Sequence, residues 1–107
     1  MKPSLSAAAD ALHTAEQAWA AGKPQRARPQ LEQALDLLTR LRPSQDRDAL
    51  LARTHLGLHQ LSEQAGQQGR SERHLRWGVS YARTAGDGAV RTYAQEMWNR
   101  WQSHSRQ

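Results

Sequence analysis

A glycine followed by alanine and leucine at helical spacing occurs twice in this chain: Gly22 precedes Ala27, Leu31, Ala34 and Leu35, and Gly69 precedes Leu75, Val79 and Ala82. Residues three and four apart share one face of an α-helix, so each set marks a helix with a seam of small and medium apolar side chains. A glycine ahead of such a seam supplies the left-handed backbone that reverses the chain. Two such units in series restrict the fold to antiparallel helix pairs stacked side by side.

Composition agrees. The 107 residues are rich in Ala, Leu, Arg and Gln, with four tryptophans and no phenylalanine. Such a chain favours helix and lacks the β-branched aliphatics that strands use. A chain of this length forms one domain, burying roughly 60 to 70% of the surface exposed on unfolding. With no cysteine, it has neither disulfides nor a thiolate metal site. Asp10 interrupts the alanine run at the N-terminus before it reaches signal-peptide length. No stretch approaches the roughly 20 apolar residues of a membrane span. The expectation is a cytoplasmic protein without membrane partners.

The apolar pattern predicts five helices. Leu5, Ala8, Leu12, Ala15 and Trp19 form one face over 5–21, stopped by Gly22. Leu31, Ala34, Leu35, Leu38 and Leu41 form the second, with Pro29 at its first position, Pro24 in the turn before it and Pro43 after it. A third helix from Ser44 or Asp46 to about 65 has two apolar lines, one through Leu51, Leu58 and Leu61 and one through Ala52, Leu56 and His59. A helix apolar on two sides is packed between neighbours. The fourth, over 71–85, sets Leu75, Val79 and Ala82 against His74, Trp77 and Tyr81. The last, over 89–104, sets Val90, Tyr93, Ala94, Met97 and Trp101 on one face while Thr92, Gln95, Glu96 and Asn99 point away, the one wet side that a terminal cap requires. The fold class is therefore all-α: two helix pairs, over 5–43 and 46–86, and a capping helix over 89–104.

The layout resembles the tetratricopeptide-repeat family, particularly its longer repeats found in bacterial regulators and motor-protein light chains. Gly22, Ala27, Leu31, Ala34 and Leu35 carry the resemblance in the first unit. In the second it rests on His55-Leu56-Gly57, Gly69 at the turn, Leu75, Val79, Ala82 and Ala85-Gly86-Asp87. Pro29 departs from the pattern, because the family's second helix is already under way there. The resemblance implies a non-catalytic adaptor without a cofactor, whose first, third and fifth helices line a shallow concave surface for a partner's peptide or helix. Polar residues carried over to that surface are His13, Gln17, His55, His59, Gln95 and Asn99. Two units are fewer than the three usually needed for stability, so the capping helix or homo-oligomerisation makes up the difference.

Two local patterns bear on other chemistry. His55, His59 and Glu63 recur at i, i+4 and i+8, a spacing that can present two imidazoles and a carboxylate to a metal ion. Leu56 stands where a zinc protease has glutamate, and no fourth ligand is near, so the alternative is that the histidines pack half-buried or line a polar groove. The second pattern follows from the formal charge of +5. Arg70, Arg73, Arg76, Arg83 and Arg91 alternate with aromatics, as in proteins that bind single-stranded nucleic acid. The helical wheel turns Trp77 and Tyr81 away from Arg73, Arg76 and Arg83, toward a neighbouring helix. Trp19, Trp77 and Trp101 are expected to pack between helices, and Trp98 to be the exposed anchor of a partner surface. No phosphate loop, nucleophile elbow or cysteine nucleophile occurs, so an enzyme is not expected.

Overall fold

A computed structural model describes residues 2–105. Five α-helices account for the order: Leu5–Ala20 (α1), Pro24–Thr39 (α2), Gln45–Gln64 (α3), Gln68–Thr84 (α4) and Gly88–Ser105 (α5). No strand occurs among the described residues. The caps follow from sequence. The Ser4 hydroxyl accepts from the Ala7 amide at 3.0 Å, and the Ser44 hydroxyl from the Arg47 amide at 3.0 Å. At α5, Asp87 Oδ1 accepts from the amides of Ala89 and Val90. Each satisfies donors that the first helical turn leaves free.

Both hairpins reverse through one motif. After α1, the Lys23 amide donates to the Ala18 carbonyl at 2.9 Å and the Gly22 amide to Trp19 at 3.0 Å, with Gly22 at φ 76°. After α3, the Gln67 amide donates to Ser62 at 2.9 Å and the Gly66 amide to Glu63 at 3.1 Å, with Gly66 at φ 74°. These are two copies of the Schellman turn, which needs its left-handed residue directly after the helix. The second turn glycine is therefore Gly66 and not Gly69, which lies inside α4. For the same reason α2 starts at Pro24 and not at Pro29: the turn ends at Lys23 and Pro24 takes the first helical position. Pro29 stays inside the helix and leaves the Gln25 carbonyl without a helical donor. Gln25 is exposed, so that carbonyl is left to solvent.

The offset from Gly22 to Gly66 maps the hairpins onto each other. It takes Ala8 to Ala52, Leu12 to Leu56, Leu31 to Leu75 and Ala34 to Gly78, and all eight are buried. It also takes Ala11 to His55, Ala15 to His59 and Ala27 to Ser71. Small apolar contacts between α1 and α2 thus become a buried polar set between α3 and α4.

Within the array α1 packs on α2, α3 on α4, α2 on α3, and α5 on α4 and α3. α3 is the shared element. It supplies Leu58 and Leu61 to a core with α1 and α2, Ala52 and Leu56 to a core with α4 and α5, and Leu51 to a third cluster with Ala8, Leu37 and Leu38. The two apolar lines expected along this helix thus each meet a neighbour. The backbones of α1 and α5 stay apart, as do those of α2 and α4, so α3 lies at the bottom of a cleft on either side.

Candidate functional site

The larger cleft lies between α1 and α5 over α3 and has a volume of about 570 Å³. Leu12, Ala15 and Trp19 form its α1 wall, and Val90 and Tyr93 its α5 wall. Gly57, Gln60 and Arg53 come from α3, with Leu31 of α2 below them. Gly57 matters to the floor. A Cβ there would stand 3.1 Å from Leu31 Cδ1, so its absence lets α2 reach under α3. The rim is polar: Arg53 and Glu16 pair at 2.6 Å across α3 and α1. Tyr93 is 39% exposed, a large ring held partly in water at the edge of an apolar depression.

Among the residues expected to contact a partner, none lines this cleft. His13 and Gln17 are exposed on α1, and Gln95 and Asn99 are exposed on α5 and hydrogen-bond to each other at 3.0 Å. Trp98 is not an exposed anchor; it packs partly buried on the core of α3, α4 and α5, with Arg76 stacked 5.5 Å from its ring centre. His55 and His59 are not surface contacts either. They are 6% and 3% exposed and face α4, as their equivalents Ala11 and Ala15 face α2.

Their bonds explain that burial. The His59 Nδ1 lies 3.0 Å from the Ser71 carbonyl and 2.7 Å from its hydroxyl, while that hydroxyl lies 3.3 Å from the His59 carbonyl. One proton arrangement serves all three: Nδ1–H donates to Ser71, and the hydroxyl donates back to the His59 carbonyl. His55 Nδ1 lies 3.0 Å from His74 Nδ1, so one ring donates and the other accepts. Burial, followed by the charge of His74, lowers the His55 pKa to about 4. His74 is lowered too, by burial first and then by Arg73, His59, Arg28 and Arg70. This pair is bonded through its neutral forms.

His55, His59 and Glu63 do not converge on one point. His55 is engaged with His74, His59 with Ser71, and Glu63 Oε2 stands 3.9 Å from His59 Nε2. Among the described residues no group of three or more His, Cys, Asp or Glu side chains is arranged to hold a metal ion.

The basic residues divide. Arg70 and Arg73 line a second cleft, between α2 and α4, together with Arg28, His74 and Trp77. Arg76 is paired with Glu72 at 3.0 Å, and Arg83 and Arg91 are exposed outside the cleft. Trp77 stacks on His55 of α3, with ring centroids 6.0 Å apart, yet stays 53% exposed where it lines the cleft between α2 and α4. Trp19 and Trp101 do pack partly buried against the cores.

No family model matches the chain, and neither a curated protein nor a solved structure does. No helix among the described residues is long and apolar enough to cross a membrane.

Proposed function

We propose that the chain is a non-catalytic protein-binding module, similar in layout to tetratricopeptide-repeat arrays, that holds a helix or peptide of a partner protein in the α1/α5 cleft. The observation that carries this reading is the cleft itself: an apolar floor, two aromatic walls and an ion-paired rim. Helix-in-groove recognition uses such a surface, with a few aromatic anchors supplying most of the energy and a polar rim excluding water. Trp19 and Tyr93 are the anchors, and Gln60, Glu16 and Arg53 give the rim its donors and acceptors.

Tyr93→Glu places a charge on the apolar wall at a position already partly in water, so the fold is retained. Partner captured from a lysate of the source organism is expected to fall about tenfold or more, the loss typical of an aromatic anchor. Far-UV circular dichroism should be unchanged. Equal capture by wild type and the variant would remove the cleft as the binding surface. Concentration-dependent dimerisation by light scattering, abolished by the same substitution, would identify a second copy of the chain as the occupant.

A further inference from the structure

The cleft between α2 and α4 has a volume of about 370 Å³ and opposite chemistry from the one between α1 and α5. Arg53, Gly57 and Gln60 lie on one face of α3, whereas His55, Leu58 and Ser62, which reach the second cleft, lie half a turn away. Arg28 of α2 and Arg70 and Arg73 of α4 converge on it, and Glu32 is the acidic residue of its lining. None of these three guanidinium groups makes an ion pair or hydrogen bond among the described residues, in contrast to Arg76, Arg47 and Arg53. They are close enough together that all three act on His74.

Beside the cations stands a prepared stacking surface. The rings of Trp77, Tyr81 and His55 lie with centroids 5.8 to 6.0 Å apart and planes within 9° to 21° of one another. His55 is buried, Tyr81 is half-buried and Trp77 is the exposed member. An acidic peptide would engage the arginines and leave the indole unexplained. A polymer that alternates phosphates with flat rings engages both.

We propose that the α2/α4 cleft binds single-stranded nucleic acid, with Arg28, Arg70 and Arg73 on backbone phosphates and Trp77 stacked on a base. This site is separate from the protein-binding cleft, and either can fail without the other.

The test is titration of the whole protein with a short fluorescent oligo(dT), beginning at about 50 mM salt, where phosphate contacts are strong. Three phosphate contacts give a slope of log K against log salt of about −2, at roughly 0.7 per contact on a single strand. Arg28→Gln/Arg70→Gln/Arg73→Gln should lower affinity at least tenfold and flatten that slope. Arg83→Gln/Arg91→Gln, which removes two exposed charges outside the cleft, should change affinity less than threefold. Trp77→Ala should weaken binding about five- to 150-fold, as for loss of one stacked base, and Trp77→Phe should retain most of the affinity. No binding at low salt would overturn the proposal, as would equal losses from the two arginine sets or polyglutamate competing as well as oligo(dT). All of the substituted side chains are at least partly exposed, so circular dichroism should report an intact fold for each variant.

Discussion

Gly78→Ala is expected to destabilise the protein by about 1–3 kcal/mol, the usual cost of forcing an extra methyl group into a packed interior. Replacing a helical glycine by alanine otherwise stabilises by roughly 0.5–1 kcal/mol. Here the packing decides. A Cβ at position 78 would stand 2.7 Å from Leu56 Cδ2 and 2.8 Å from Leu56 Cγ, with the Ala52 carbonyl at 3.4 Å. Leu56 is fully buried among Ala52, Leu75 and Ala82 and cannot swing away. Its Cγ moves only with the whole side chain, so α3 and α4 must separate. Gly69→Ala is the matched control in the same helix, because nothing lies within 4 Å of its Cβ position. Urea denaturation should give a lower midpoint for Gly78→Ala and an equal or higher one for Gly69→Ala. An unchanged midpoint for Gly78→Ala would mean that the two helices are not in close contact at this crossing.

Acid is expected to weaken the fold through His55. Its folded-state pKa is lowered to about 4 from an unfolded value of 6.5, so between those values the unfolded chain binds the proton and the native state does not. Stability from this group is full above pH 6.5 and falls as pH drops toward 4. Each pH step of one between the two values removes about 1.4 kcal/mol, so the whole contribution is about 3 kcal/mol. Protonating both His55 and His74 also removes their hydrogen bond, since neither Nδ1 then accepts. Urea midpoints measured across this range should fall with acid in the wild type and fall less in His55→Leu. Titration of the His55 ring proton by NMR near 6.5 would contradict the buried pair.

The helices were legible because their apolar seams keep strict 3.6-residue spacing, and the start of α3 because Ser44 stands just before its seam. What misled was the choice of turn glycine. Aligning Gly22 with Gly69 hides the repeat, whereas aligning it with Gly66 puts His55, His59 and Ser71 opposite Ala11, Ala15 and Ala27, all of them buried. That register would have shown the histidines facing α4. The exposure of Trp77 had no such signal. It depends on the gap between α2 and α4, a tertiary distance that a helical wheel does not contain. The α1/α5 cleft was foreseen by its helices and missed by its residues, since its walls are apolar and only polar positions were carried over from the family resemblance. Gly57 belongs to the repeat pattern, but its role under the cleft depends on Leu31 reaching it from another helix.

The most direct measurement is photocrosslinking in a lysate of the source organism from a benzophenone side chain at position 93, with Arg26, exposed on α2, as the reference position. A discrete protein adduct is expected from position 93, surviving nuclease treatment and absent from position 26. No adduct from position 93, or the same set of adducts from both positions, would contradict a protein-binding cleft between α1 and α5.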